Sequence, residues 1–232
     1  MNLKIVLSGI LGGKSGKDGQ GGFYSAKTTY NELLEGVIKP NKKYFDEIDI
    51  ILHCWNTDQE GDILHHYEPT SYKIEKQKKF EVEQESKRRA SKLYSMFESF
   101  KLLKETEPNP SDAVLMTRFD LSYMTNLQLQ RYQPMINKNK VCFPGTINKT
   151  TRLNDLLYFS NYKTLESKLT DQMYTDIYQC IRHKNERVMY INSKGAKRID
   201  NHTIIREIFK DCSVVSLSSY KAESDVYPIR KI

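Results

Sequence analysis

Three short apolar runs, Leu3–Leu7, Ile48–Leu52 and Ala113–Met116, each stop abruptly at polar residues, and segments of helical spacing separate them. Each run holds four apolar residues, broken once by Lys4 in the first and by Asp49 in the second. Such near-continuous runs read as buried strands, because a strand covered on both faces has little polar side to show. Strands that alternate with helices fold into a mainly parallel sheet flanked by helices, a Rossmann-like α/β architecture. In such sheets ligands bind beyond the carboxyl ends of the strands. The residues that follow the three runs therefore carry most of the functional information. They are Ser8-Gly9-Ile10, His53-Cys54-Trp55-Asn56 and Thr117-Arg118-Phe119-Asp120.

The remaining elements follow the same reading. Thr28–Ile38 has helical spacing (Tyr30, Leu33, Leu34, Val37), and Pro40 is expected to stop it. Cys54 to Phe80 reads as polar and irregular. Glu83–Lys104 is the clearest helix, with an apolar stripe of Leu93, Met96, Phe97, Phe100 and Leu103. Later strands are expected at Val141–Phe143 and Leu156–Phe159, and helices at Thr164–Arg182 and Thr203–Lys210. No internal repeat is visible. At 232 residues a single domain can bury its own core without a disulfide or metal staple.

With 38% hydrophobic and 28% charged residues the chain is too apolar for general disorder, and no run of about 18 apolar residues exists to span a membrane. The apolar stretch at the amino terminus is too short for a secretory signal. Cys54, Cys142, Cys180 and Cys212 lie far apart with no C-x-x-C pair, so reduced thiols in a cytoplasmic setting are expected. The 36 Lys and Arg against 29 Asp and Glu give a net charge of +7. That suits a nucleotide diphosphate, a nucleic acid or an acidic membrane surface, and equally a surface that is merely soluble. There is no basic helix, helix-turn-helix or aromatic RNA-binding motif, so nucleic acid is not an expected partner. A basic, non-catalytic module that binds nucleic acid or a protein partner remains the rival reading.

Four groups of residues offer chemistry. Gly13-Lys14-Ser15 resembles the end of a phosphate-binding P-loop, but Ser8 stands where that motif needs glycine. Gly16, Gly19, Gly21 and Gly22 also oppose an immediate helix, at about 1 kcal/mol each. The segment reads instead as a lid over an anionic ligand, or as a simple loop. Asp120, projected at the end of a strand, is a place for a hard cation, with Arg118 contacting phosphate or forming an ion pair with Asp120. Asp155 lies just before a strand and is the first candidate for a general base, with Glu207 the second; Asp155 as a turn cap is the alternative. His202 is either a late metal ligand or a helix cap. Arg89 sits on the packed side of the long helix and needs a phosphate or a carboxylate to satisfy it.

The ordered blocks His53-Cys54-Trp55-Asn56-Thr57-Asp58, Tyr67-Glu68-Pro69, the Ser95/Ser99 helix and Thr117-Arg118-Phe119-Asp120-Leu121 carry a resemblance. They resemble the small GT-A-type glycosyltransferases that build surface glycans, most closely those encoded by large DNA viruses of green algae, the chlorella viruses. The likeness covers about the first 125 residues. It implies a UDP-sugar donor, a glycan acceptor, and Mn²⁺ or Mg²⁺ held at Asp120. This sequence departs from the usual D-x-D by having Arg118 and Ser122 on either side. The resemblance places the nucleotide at Ser8, Gly9 and Ile10 through backbone groups and at His53, Trp55 and Asn56 through side chains. The nucleotide-binding half is then residues 1–125 and the acceptor half 126–232 of one domain. An ending at Tyr227–Ile232 without a closing element suits one domain of a longer protein.

Overall fold

The computed structural model describes residues 1–11, 25–55, 57–123, 125–144, 157–191, 197–217 and 226–228. Asn56, Asp155 and the glycine-rich segment around Gly13-Lys14-Ser15 lie outside them. The strands are β1 (Leu3–Gly9), β2 (Ile48–Cys54), β3 (Ser71–Ile74), β4 (Ala113–Arg118), β5 (Leu121–Tyr123), β6 (Val141–Pro144), β7 (Tyr158–Asn161), β8 (Met189–Ile191), β9 (Lys197–Ile199), β10 (Val214–Leu217) and β11 (Val226–Pro228). The helices are α1 (Ala26–Leu33), α2 (Lys39–Asn41), α3 (Glu60–Tyr67), α4 (Lys87–Glu105), α5 (Gln133–Ile136), α6 (Tyr162–Glu166), α7 (Asp171–Arg182) and α8 (Asn201–Ile208).

Seven strands form one sheet in the order β10-β6-β7-β4-β1-β2-β3, and β7 alone runs antiparallel to its neighbours. The chain is thus a single α/β domain with a mostly parallel sheet between helices. Two apolar layers follow from strand alternation. Leu3, Ile5, Leu7, Leu52 and Leu115 pack with Ala26, Leu33, Ile63 and Tyr67 of α1 and α3. On the other face Val6, Ile51, Val114 and Met116 pack with Leu93, Met96, Phe97 and Phe100 of α4 and with Ile177, Ile204 and Ile205 of α7 and α8. The stripe expected on the long helix is the buried one.

From β1 the chain goes to β2 and β3 on one side, then returns through α4 to β4 on the other. Strand order therefore reverses between β1 and β4, which opens a crevice at their carboxyl ends. Gly9 and Arg118 lie at that edge.

Three local expectations are corrected. Pro40 does not stop the helix, because α1 continues through a π-helical turn, Leu34–Ile38, into α2. Proline removes the N–H that would bond the carbonyl four residues back, that of Gly36. The Leu127 N–H takes that carbonyl instead, at 2.8 Å. Asn41 completes the join: its amide nitrogen donates to the carbonyls of Val37 (2.7 Å) and Leu127 (2.6 Å), and its oxygen accepts from Leu129 N–H at 2.9 Å.

The stretch read as irregular holds α3 and the edge strand β3. Each is short, and Tyr72 in β3 is 46% exposed, so neither gives a clear apolar period. The helix expected at Thr164–Arg182 is two helices. The Thr170 hydroxyl accepts from Met173 N–H at 3.1 Å and starts α7 afresh.

Candidate functional site

A cavity of about 260 Å³ lies at the crevice between β1 and β4. Its walls include Ser8 and Gly9 at the end of β1 with Ile10 after it, Trp55 after β2, and Arg118 at the end of β4 with Asp120 after it. Arg88, Ser91 and Lys92 of α4 face it from above, with Asn201 at the start of α8. Register explains the convergence. Ser8 pairs with His53 on one side and Arg118 on the other, and all three follow the alternation that puts Val6, Ile51 and Met116 against α4.

Gly9 has φ +119°, a backbone conformation open to glycine, and a Cβ there would touch nothing within 4 Å. The requirement for glycine is conformational. Its N–H donates to Ser95 Oγ at 2.7 Å, and its carbonyl accepts from Trp55 N–H at 3.1 Å. Ser95 Oγ lies 2.7 Å from His53 Nδ1, and His53 Nε2 lies 3.1 Å from Glu75 Oε1. The network closes when the serine donates to Nδ1 and the Nε2–H donates to the carboxylate.

His53 is fully buried and does not line the cavity. It is a positioning residue. Its ring meets Trp55 edge-on at 4.7 Å, while Tyr94 stacks on the indole at 5.3 Å. Burial depresses the His53 pKa from its ordinary value of 6.5, although Glu75 pulls it upward. A depressed histidine contributes stability that is complete above the unfolded value and lost as pH falls toward the folded one. Unfolding free energy is therefore expected to decline below about pH 6.5 with a slope approaching 1.4 kcal/mol per unit, and His53→Gln to remove that slope. Urea denaturation at a series of pH values reads it; an equal slope in the variant disproves it.

Arg118 and Asp120 form the pair anticipated as one reading of the sequence. The guanidinium donates through Nε (2.7 Å) and an η nitrogen (2.6 Å) to the two carboxylate oxygens of Asp120, whose side chain is 4% exposed. A Mg²⁺ or Mn²⁺ bound with a nucleotide takes one or two protein carboxylates, with phosphate oxygens and water completing its shell, so it needs at least one carboxylate open to it. Among the described residues Asp120 is the one carboxylate lining the cavity, both of its oxygens already accept from Arg118, and no group of three or more His, Cys, Asp or Glu could hold a metal. The described donor set does not fit the Mn²⁺ or Mg²⁺ that the resemblance implied.

The other expected residues are placed elsewhere. Glu207 does not line the cavity. One of its oxygens accepts from Arg187 Nε (2.9 Å) and an Arg187 η nitrogen (2.5 Å), and from Lys210 Nζ (3.1 Å). Burial pushes the Glu207 carboxyl up, but these bonds outweigh it and hold it below its usual value. A carboxylate so held is a weak base, and it ties α8 to the turn at Glu186–Val188. Arg89 is half-buried, one turn before Leu93. Its guanidinium is satisfied by the Glu85 carbonyl one turn earlier, not by a strand carboxylate, and it borders a separate cavity of about 180 Å³ with Ser86 and Ile199. His202 follows Asn201 on α8 and is not part of the wall.

Sequence reasoning missed Arg88, Ser91, Lys92 and Asn201. One signal was present. Helix α4 opens Lys87-Arg88-Arg89 with no acidic residue in its first turn. Cations at the positive end of a helix dipole cost a few tenths to about 1 kcal/mol each, a cost that an anion at the site relieves. Among the described residues of the wall, three cations, Arg88, Lys92 and Arg118, stand with one carboxylate, Asp120.

No protein-family model matches the sequence, and no curated protein matches it. Among solved structures the fold is similar to that of 4-diphosphocytidyl-2C-methyl-D-erythritol synthase from Anaerococcus prevotii, at 15% identity and a TM-score of 0.43, over 93% of this chain and 86% of that one. It is similar to the glycosyltransferase GlyE of Streptococcus pneumoniae at 13% identity and a TM-score of 0.46, over 94% of this chain and 45% of that one. This chain thus spans under half of GlyE. Mouse xyloside xylosyltransferase 1 is similar at 8% identity and a TM-score of 0.47, over 94% and 85% of the two chains. Likeness at this level concerns the path of the chain and assigns no activity.

Proposed function

We propose that this chain is a glycosyltransferase that takes a sugar from a UDP-sugar and delivers it to a hydroxyl of a glycan acceptor, in the synthesis of a viral or surface glycan. One observation carries the reading: a cavity with a net positive wall lies at the β1/β4 reversal, next to a buried indole. A nucleoside diphosphate matches both halves of that wall, with a flat base for Trp55 and an anion for the cations. The ordered sequence blocks that resemble GT-A enzymes belong to these same elements. In the reaction the bond from the anomeric carbon to the diphosphate oxygen breaks and its electron pair leaves with UDP. A bond to the acceptor oxygen forms, and the acceptor proton passes to a base. Asp155 is the candidate for that base. The nucleotide half is assigned to residues 1–125 and the acceptor half to 126–232.

Trp55 is the single tryptophan of the chain, so its fluorescence reports on this cavity alone. Titration with UDP, GDP and CMP is expected to quench it with UDP, and a panel of UDP-sugars is expected to yield free UDP when acceptor glycans are supplied. If no nucleotide alters the emission or gives binding heat, the reading fails. Tight binding to an oligonucleotide that weakens steeply with salt would then favour the basic, non-catalytic module.

A further inference from the structure

The donor set that does not fit a divalent cation is surrounded by groups that fit the diphosphate itself. Two of the described buried polar atoms without a hydrogen-bond partner belong to this region. They are Trp55 Nε1 and Tyr158 Oη, on side chains 5% and 3% exposed. Trp55 lines the main cavity. Tyr158, on β7 beside β4, lines a small pocket of about 10 Å³ together with Ser8, Lys92 and Arg118, three residues that also line the main cavity. That space holds about one oxygen atom. Burial pushes the Tyr158 hydroxyl far above its ordinary value, so it remains a donor at any working pH. A buried hydroxyl without a partner costs stability, and most such groups in folded proteins are paired. Both orphaned donors are explained if a ligand supplies the acceptors.

We propose that the diphosphate of the donor is bound without a divalent cation, by Arg118, Lys92 and Arg88, with the Tyr158 hydroxyl donating to a phosphate oxygen. The inference rests on the reading of the cavity as a nucleotide-sugar site. Asp120 is then a positioning residue: its two bonds fix the plane of the Arg118 guanidinium at the wall. Arg88 and Lys92 lie four residues apart on α4, and so on one face of the helix. They add positive charge where the departing UDP gathers negative charge.

Calorimetric titration of UDP and inorganic pyrophosphate, in EDTA and in Mn²⁺, tests the proposal on wild type, Tyr158→Phe and Arg88→Gln/Lys92→Gln. UDP is expected to bind equally well in both buffers. Tyr158→Phe is expected to weaken both ligands about tenfold, as for one lost hydrogen bond to a charged group. The same variant should melt at the same temperature as wild type or higher, because it removes an unsatisfied hydroxyl; a merely structural tyrosine would show no loss of affinity. The double variant is expected to weaken both ligands about a hundredfold and to flatten the salt dependence of binding. UDP binding that requires Mn²⁺ overturns the inference, returns Asp120 to the role of metal ligand and leaves the nucleotide-sugar reading standing. Undiminished affinity in both variants also overturns it. Failure of UDP, GDP and CMP to bind in either buffer overturns the inference and the reading together.

Discussion

Replacing Arg118 by methionine is expected to cost the protein both its donor and much of its stability. Asp120 is almost fully buried and gives both carboxylate oxygens to Arg118. Removing the guanidinium from a buried carboxylate costs about 3 kcal/mol or more, because the charge left behind has already lost its water. For a domain of this size that lowers the melting temperature by roughly 6–12 °C. Affinity for UDP is expected to fall about a hundredfold, since bonds from a charged donor to phosphate contribute about 1.5–3 kcal/mol. The second substitution separates the two effects. Arg118→Met with Asp120→Asn removes the stranded charge, so most of the melting temperature should return while UDP affinity does not. If affinity returns with stability, Arg118 has no contact with the donor and the pair is structural alone. If the single variant melts like wild type, the pair is screened by solvent and its burial counts for little.

The positions of these residues were only partly legible in the sequence. Strands β1, β2 and β4 could be read because each is a short apolar run that ends abruptly in polar residues, and the sheet brings Ser8, Gly9, Trp55, Arg118 and Asp120 together at that edge. His53 was expected at the nucleotide and is instead buried against Ser95 and Glu75; strand alternation could not show this, since Ser8 and Arg118 follow the same alternation and line the cavity. Lys92 could not be found, because it flanks the buried stripe at Leu93 and Met96. Nothing in one sequence says whether such a flank meets solvent or a cleft until the helix is laid on the sheet. Tyr158 was hidden for a different reason. The run containing it reads as a strand, but only the sheet order puts that strand next to β4, antiparallel and beside Arg118. Glu207 and Arg187 are a pairing across 20 residues that no local pattern announces. Asp120 was legible both as a site residue and as half of an ion pair with Arg118, but only the folded strand end shows that the guanidinium takes both of its oxygens.

Gly36→Ala is expected to be strongly destabilising, and for a reason that backbone freedom does not supply. Gly36 lies in the π-helical turn after α1 and has no left-handed backbone to protect. A Cβ there would stand 2.3 Å from Cβ and 2.7 Å from Cγ of Tyr123, too close for either to remain in place. Tyr123 has little room to retreat. Its hydroxyl lies 3.0 Å from Thr117 Oγ1, its N–H donates to Glu32 at 3.2 Å, and neighbouring Ser122 donates to the same carboxylate at 2.7 Å. Forcing a methyl into such packing costs about 1–3 kcal/mol and sometimes more, or roughly 2–12 °C of melting temperature in a domain of this size. Gly61→Ala in α3 is the control. A Cβ there meets nothing within 4 Å, and helix propensity favours alanine by up to about 1 kcal/mol, so that variant should melt slightly higher. The consequence of Gly36→Ala reaches the cavity, because β5 begins one residue after Asp120. A displaced Tyr123 moves β5, and Asp120, the carboxylate that holds Arg118, immediately precedes that strand. UDP affinity measured well below the melting temperature should therefore fall in Gly36→Ala and hold in Gly61→Ala. Equal affinity in the two variants would mean that β5 yields at Tyr123 without disturbing Asp120, and that the site is insulated from the helix behind it.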